Sequence, residues 1–263
     1  MSFLNLRVIV NALAALVAAV GALMLVPTVY SLLTAPDDAW IFWLPGAVAL
    51  ALGAVLFFLT RARQSSYVSR QSIFLMVVLC WLGVGLVGAA PFVLSGLMGP
   101  VDAFFNSMAG LTTTGAATLT PEELSTSLLL WRSVSQWLGG IGIIVLFVAI
   151  APLAGFGATQ LYTAEAATPV QERVTPRIRE TVKVLALVYG GLTLGGVVVL
   201  HLAGMGTFDA VNYALTTVST GGYSTHRWRP WQSLTQAILR RPTYQDRASH
   251  PGWDVHVWCR LPL

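Results

Sequence analysis

The sequence predicts an all-α integral membrane protein, and three observations lead to this fold class. Hydrophobic residues make up 56% of the chain and charged residues only 10%, against about 25% charged residues in an average soluble domain. The mean hydropathy is +0.71. Five apolar runs each reach the roughly 20 residues that a helix needs to cross a bilayer. A soluble chain of this composition would expose large apolar patches, so a soluble domain is excluded.

The five runs are rich in Leu, Val, Ala and Gly, a composition typical of closely packed membrane helices. They lie at 8–33, 40–60, 72–98, 129–151 and 182–204. The first run exceeds the roughly 7–15-residue apolar core of a signal peptide, so we expect a retained span there. Four tryptophans near the run ends are interpreted as interfacial anchors: Trp40, Trp43, Trp131 and Trp137.

Charges in the short connections predict the orientation of the spans. Basic residues occupy the connections between runs two and three and between runs four and five: Arg61, Arg63, Arg70, Arg173, Arg177, Arg179 and Lys183. Acidic residues lie in the remaining connections: Asp37, Asp38, Glu122 and Glu123. The positive-inside rule therefore predicts a cytoplasmic N-terminus and two cytoplasmic basic loops.

Residues 227–263 break this pattern. They hold six Arg and two Asp, which accounts for the whole formal charge of +4, because residues 1–226 carry nine basic and nine acidic side chains. They contain no apolar run of spanning length. The change falls abruptly after His226 and interrupts an internal repeat. We therefore expect sequence from a shifted reading frame or a truncated gene, with a surface tail as the alternative.

Two shorter, more polar segments follow the third and fifth runs, near 101–113 and 208–220. Each is too short to cross a bilayer. Irregular backbone at membrane depth is tolerated only where protein buries it or where it lines a watery cavity. We interpret both segments as re-entrant pore segments that enter from outside.

The two segments belong to an internal repeat. Residues 99–116 align without a gap on residues 206–223, at a shift of 107 positions. The identical pairs are Gly99 and Gly206, Asp102 and Asp209, Ala103 and Ala210, Thr113 and Thr220, and Gly115 and Gly222. Internal repeats are typical of transporters, whose sites form where the repeats meet.

Each repeat predicts an outer helix, a short pore helix, an extended Thr-Gly segment and a return helix. Asp102 and Asp209 are expected to cap the pore helices by accepting hydrogen bonds from free N–H groups, with a plain loop-capping role as the alternative. The carbonyl end of each pore helix carries partial negative charge and favours a cation.

The Thr-Gly segments predict a potassium filter. Glycine lets backbone carbonyls line a narrow axis, and a ring of such carbonyls replaces the hydration shell of K⁺. The candidate K⁺-binding positions are Thr113, Thr114, Gly115, Ala116, Thr220, Gly221, Gly222 and Tyr223. No cofactor and no metal other than K⁺ is expected, because Cys80 and Cys259 show no metal-ligand spacing.

Polar and small residues at the start of the fourth run leave two interpretations open. Arg132 and Gln136 lie one helical turn apart and should share a face. They either reach the membrane interface or support the filter. Gly139, Gly140 and Gly142 are expected to allow close helix packing.

Three separated motifs carry a family resemblance: WRSVSQWLGGIGIIVLF (131–147), TPRIRETVK (175–183) and TTVSTGGYSTH (216–226). Together they resemble the TrkH branch of the TrkH/KtrB superfamily of potassium transporters, over about residues 1–226. The resemblance implies two leading spans, then outer helix–pore helix–inner helix repeats around one pore. The first repeat is complete here and the second incomplete. It also implies that Gly115 and Gly222 are filter glycines that favour K⁺ over Na⁺.

The resemblance implies a domain organisation and a set of partners. The expected units are 1–71 with two leading helices, 72–151 as the first repeat, 152–181 as a cytoplasmic loop, 182–226 as the incomplete second repeat, and 227–263 as a divergent basic tail. The implied function is potassium uptake by a pore-forming subunit in the bacterial inner membrane. The implied partners are the lipid bilayer, a second copy in a homodimer and a cytosolic nucleotide-binding regulatory subunit, without nucleic acid.

The sequence bears on two other functional classes. A membrane enzyme is not expected, because the spans hold no convergent cluster of titratable groups for acid–base or metal chemistry. The alternative function is that of a non-conducting membrane fragment of such a transporter. The resemblance implies four filter segments around the ion, and this sequence shows two of them. We therefore expect that the chain does not transport potassium by itself.

Overall fold

The computed structural model describes residues 6–61, 70–150 and 174–226. Within these ranges the chain forms helices and connecting turns, without a β-strand. The helices are α1 (Leu6–Leu23), α2 (Leu25–Thr34), α3 (Trp40–Thr60), α4 (Arg70–Leu94), α5 (Pro100–Leu111), α6 (Thr126–Ile150), α7 (Val174–Leu202) and α8 (Thr207–Val218). The basic tail and most of the loop expected at 152–181 lie outside the described residues.

Five stretches of the described residues are long and apolar enough to cross a membrane, which confirms the five predicted spans. They are Leu6–Thr34, Pro36–Thr60, Gln71–Leu94, Thr126–Leu146 and Glu180–Leu202. The first stretch is divided into α1 and α2 at Met24. Pro27 explains this division, because it has no N–H to donate to the Leu23 carbonyl four residues earlier. The third membrane-spanning stretch ends at Leu94, whereas the sequence predicted an end near residue 98. Gly96 follows it with a left-handed φ of 73°.

The leading helices pack by close backbone approach. An ideal Cβ placed on Gly21 would lie 2.7 Å from the Gly46 carbonyl oxygen, and one placed on Gly53 would lie 2.7 Å from the Ala14 carbonyl oxygen. Small residues at such crossings let two helix backbones meet directly. Helices α1 and α3 therefore form a tightly packed pair, and α4 packs against both of them.

Helix α6 lies at the centre of the described structure. It contacts both short helices, α5 and α8, and also packs against α2 and α7. In the apolar window of the membrane-spanning stretch of α6, 61% of the residues are buried, whereas in that of α7 only 11% are buried. The largest apolar cluster joins α1, α3, α4, α5 and α6, and its members Phe92 and Trp131 are almost fully buried. The two short helices are thus positioned from one central helix.

The prediction of four interfacial tryptophans is wrong for Trp131. Trp40 and Trp43 are 44% and 50% exposed, as interfacial anchors require. Trp131 is only 1% exposed, and its indole Nε1 donates to the Gly88 carbonyl at 3.0 Å. Trp137 Nε1 donates to Thr193 Oγ1 at 3.0 Å. Trp131 was therefore wrongly assigned to the interface, because its partner lies on a neighbouring helix that sequence position alone does not reveal.

The close contact between α1 and α3 predicts that alanine at position 53 destabilises the protein, although alanine favours helix formation. Gly53→Ala should lower the unfolding temperature despite the roughly 1 kcal/mol gain in helix propensity, because overpacking against backbone costs about 1–3 kcal/mol. Gly190→Ala is the matched control, since nothing lies within 4 Å of an added Cβ there. Thermal unfolding in lipid nanodiscs measures both variants. Equal stability of the two would contradict the packing described for α1 and α3.

The loop charges predict where probes react. In a chain whose two native cysteines are replaced by serine, Ser66→Cys should react with an impermeant thiol reagent only from the cytoplasmic side. Asp37→Cys should react only from the outside. Labelling in right-side-out and inverted membrane vesicles measures this difference. The opposite pattern would reverse the orientation derived from the basic loops.

Candidate functional site

Two short helices lie where re-entrant segments were predicted. Helices α5 and α8 each contain 12 residues and so rise about 18 Å at 1.5 Å per residue. The hydrocarbon core of a bilayer is about 30 Å thick, so neither helix can span it. Each begins after an N-cap glycine, Gly99 or Gly206, and ends where a Thr-Gly segment starts.

The predicted capping by the two aspartates is wrong in its geometry. Asp102 and Asp209 lie in the first turns of α5 and α8, whereas the N-cap positions belong to Gly99 and Gly206 without a side-chain cap. The glycines adopt extended backbone at the cap, which places each aspartate three positions inside the helix. A negative charge in the first turn still interacts favourably with the helix dipole.

The two Thr-Gly segments share an unusual backbone conformation. Thr113 and Thr220 have φ values of 56° and 55°, and Gly115 and Gly222 have values of 75° and 77°. Positive φ is uncommon for a residue with a side chain, while glycine adopts it without steric cost. The same dihedral pattern therefore recurs at positions that are aligned in the sequence 107 residues apart.

Backbone amides after each pore helix bond back to its last turn in the same way. The Thr113 amide donates to the Gly110 carbonyl at 2.9 Å, and the aligned Thr220 amide donates to the Thr217 carbonyl at 3.0 Å. One position later, the Thr114 amide donates to the Ala109 carbonyl at 3.0 Å, and the aligned Gly221 amide donates to the Thr216 carbonyl at 2.9 Å. These bonds leave the segment carbonyls as the groups that can face a cation. The helix ends also place partial negative charge beside both segments.

The structure brings the two segments into direct contact. A Cβ on Gly115 would collide with the Gly221 carbonyl oxygen. The Tyr223 hydroxyl donates to the Ala116 carbonyl at 3.0 Å. Thr114, Thr220 and Gly222 are exposed; Thr113, Gly115 and Ala116 are half-buried; Gly221 and Tyr223 are buried. The eight predicted positions therefore include exposed backbone and a tyrosine side chain buried behind it.

Arg132 and Gln136 lie behind these segments and share one face of α6, as predicted. Their exposed fractions are 3% and 0%, so reaching towards the interface is excluded. The Arg132 guanidinium carbon lies 4.1 Å from the centroid of the Tyr223 ring, and a desolvated contact of this kind stabilises by about 2 kcal/mol. Gln136 Oε1 accepts a hydrogen bond from the Tyr223 amide at 3.3 Å.

Several buried polar atoms in this region have no hydrogen-bond partner within the described ranges. They are Arg132 Nε and Nη1, Gln136 Nε2 and Asn212 Oδ1. Buried polar groups are usually bonded, and each exception calls for an explanation. Three of these four atoms are donors on the face of α6 that holds the segments, so this face can still bind acceptors such as carbonyl oxygens.

The expected close packing of the α6 glycines is found at Gly139 and Gly140, whereas a Cβ on Gly142 would meet only Trp81, at 4.0 Å. A Cβ on Gly139 would collide with the Leu111 carbonyl at the end of α5, and one on Gly140 with the Tyr189 hydroxyl. The backbone of α6 can therefore lie directly against the last turn of α5.

Two side-chain hydrogen bonds just after the Thr-Gly segments were not predicted from the sequence. Asn106 Nδ2 donates to Thr118 Oγ1 at 2.6 Å, and Thr225 Oγ1 donates to Asp209 Oδ1 at 2.7 Å. Each bond fastens the chain after a segment to the pore helix before it. Extending the repeat alignment by two positions would have shown that Thr118 and Thr225 are aligned.

Carbonyl oxygen is the ligand that this site offers. The described residues contain no group of three or more His, Cys, Asp or Glu side chains that could hold a metal ion. Hard monovalent cations such as K⁺ are bound by rings of backbone carbonyls. The backbone carbonyls of the two segments are ligands of this kind.

Comparison with known proteins gives consistent matches. A family model described as TrkH, cation transport protein, matches residues 41–237. The Trk system potassium uptake protein TrkH of Escherichia coli is 40% identical over 227 residues, which cover 85% of this chain and 47% of that protein. TrkH of Halomonas elongata is 38% identical over 228 residues, covering 85% and 47%.

A solved structure agrees with these matches. The crystal structure of the potassium transporter TrkH from Vibrio parahaemolyticus is similar with a TM-score of 0.74 and 34% identity, over 90% of this chain and 49% of that chain. The chain thus spans about half the length of the curated relatives it matches. The extent of the family match and the identity to these relatives show that this membrane protein belongs to the TrkH family of cation transport proteins.

Proposed function

We propose that this chain contributes the pore-lining part of a potassium uptake system in the bacterial cytoplasmic membrane, with residues 113–116 and 220–223 as two strands of its filter. One observation carries the proposal: the two segments share positive φ values at two aligned positions and two equivalent backbone hydrogen bonds, each at the end of a short pore helix. Equivalent carbonyls at equivalent positions are what a ring of K⁺ ligands requires.

The electrostatics of the site support a cation as the substrate. The C-terminal ends of α5 and α8 both meet the Thr-Gly segments, and the end of a helix dipole carries about half a negative charge. The potassium uptake named for the relatives of this chain agrees with this charge preference.

Glycine is required at the filter positions for steric reasons. A side chain on Gly115 would press on the Gly221 carbonyl, and both Gly115 and Gly222 have positive φ. Displacing a carbonyl changes its distance to the ion, and this distance and the carbonyl field discriminate K⁺ from Na⁺. We therefore propose K⁺ preference for the filter.

The alternative function is that of a non-conducting fragment. Two filter strands lie within the described residues, whereas a carbonyl ring of the potassium-channel type takes four. The proposal therefore places the working pore in an assembly that supplies further strands. The family resemblance favours a homodimer and a cytosolic nucleotide-binding subunit at the basic loops as the remaining partners.

Substitution of the filter glycines tests the proposal. In a chimera of residues 1–226 followed by the second half of Escherichia coli TrkH, Gly115→Ser and Gly222→Ser should each lower K⁺ over Na⁺ selectivity by about tenfold, equivalent to 1.4 kcal/mol. Rubidium uptake in competition with Na⁺ measures this ratio. Gly190→Ser is the control in open space. Unchanged selectivity in both filter variants would remove the segments from the pore.

Complementation separates the two functions. The 263-residue chain and the chimera are expressed in cells without their own potassium uptake systems, and growth is followed at low K⁺. The chimera should restore growth, and the chain alone should not. The described residues offer two strands, and residues 227–263 contain no apolar run long enough for the return helix after the second strand, so pairing two copies would still leave that helix unsupplied. Robust growth with the chain alone would show that its copies assemble a complete filter without other strands.

A further inference from the structure

We propose that Tyr223, clamped by Arg132, is a positioning residue that fixes the spacing of the two filter strands and thereby sets cation selectivity. This inference rests on the proposed function. It also assigns a new role to Ala116, whose carbonyl anchors the first strand to the second instead of binding the ion.

The cross-strand hydrogen bond is the first step of the argument. The Tyr223 hydroxyl lies 3.0 Å from the Ala116 carbonyl oxygen and 3.3 Å from that of Asn106. Tyr223 and Ala116 are aligned positions of the two repeats, so the bond joins equivalent points of the two strands. Tyr223 is 4% exposed, so water does not compete for its hydroxyl.

Arg132 holds the tyrosine ring. The guanidinium carbon lies 4.1 Å from the ring centroid, and Arg132 belongs to α6, the inner helix of the first repeat. Its Nε and Nη1 atoms lack hydrogen-bond partners among the residues that the structure describes. A buried guanidinium so poorly bonded weakens stability, and its contact with the ring gives a functional reason for its position.

Gln136 holds the backbone of the same tyrosine. Its Oε1 accepts the bond from the Tyr223 amide at 3.3 Å, and its side chain also contacts Gly221. Tyr223 is therefore fixed at its amide, its ring and its hydroxyl. The first two contacts come from α6 and the third reaches the first strand, which leaves the hydroxyl little freedom to move.

This geometry has a consequence for the ion ligands. A carbonyl oxygen that accepts a hydrogen bond from a fixed donor is held in the direction of that donor. The Ala116 carbonyl therefore faces the tyrosine, and residues 113–115 remain to supply ion ligands from the first strand. Losing the tie would let the distance between the strands vary, and selectivity depends on carbonyl geometry.

Removing one hydroxyl group tests the selectivity role. In the chimera, Tyr223→Phe should lower K⁺ over Na⁺ selectivity about tenfold. Tyr189→Phe is the matched control, because the Tyr189 hydroxyl also donates to a backbone carbonyl at 3.0 Å, but to that of Trp137 on α6 and not to a strand carbonyl. Arg132→Gln should have an effect similar to Tyr223→Phe. The double variant should add nothing further, since both residues serve one contact.

Hydrogen exchange tests the positioning role in the 263-residue chain itself, held in lipid nanodiscs. Tyr223→Phe should speed amide exchange in residues 112–118, which lie about one hundred positions away in sequence. Tyr189→Phe should leave that peptide unchanged. The amides of Thr114 and Gly115, bonded to the Ala109 carbonyl, are the ones whose protection should fall.

The outcomes distinguish the two proposals. A chimera without rubidium uptake would count against the proposed function, while exchange in residues 112–118 would still decide whether Tyr223 positions the first strand. Unchanged exchange in Tyr223→Phe would overturn the positioning role. Faster exchange with unchanged K⁺ over Na⁺ selectivity would overturn the selectivity role. Equal selectivity losses in Tyr223→Phe and Tyr189→Phe would show a general loss of packing and overturn the proposal.

Discussion

Backbone that leaves a helix at membrane depth must find hydrogen-bond partners inside the protein, and the described structure depends on meeting this requirement. The first amides of each Thr-Gly segment bond to the last turn of its own pore helix, and the Tyr223 amide bonds to Gln136 on α6. Side chains of Asn106 and Asp209 then bind the threonines that follow. With the donors engaged in this way, carbonyl oxygens are left over, and an excess of carbonyls suits a cation.

Helix α6 supplies the polar support for both segments at once. Its inner face carries buried serine, arginine and glutamine side chains between apolar ones. Polar groups of this kind are costly within a membrane span and mark functional sites. Here Gln136 bonds to the Tyr223 amide and Arg132 lies against the Tyr223 ring, so both side chains support the second segment. A helix that is central in packing is thus also central in positioning the site.

Apolar length and glycine placement made the five spans and the two short helices predictable from the sequence. These features depend on local composition, and a bilayer leaves few alternatives for them. The roles of Trp131, Asp102 and Tyr223 were wrongly predicted or missed. Trp131 and Tyr223 depend on which helix packs against which, whereas the aspartate error came from placing the cap three residues late. The choice between interface and filter for Arg132 likewise needed the burial that tertiary packing provides.

The hydroxyl bond between Tyr223 and Ala116 joins residues 107 positions apart, and this separation bears on how the protein is made. A ribosome adds roughly 5–20 residues per second, so the first strand waits on the order of ten seconds for its tyrosine. During that interval the Ala116 carbonyl has to bond to water or to another donor. Assembly of the first pore segment is therefore completed only after the second has entered the membrane, which makes folding of the two halves of the site sequential and coupled.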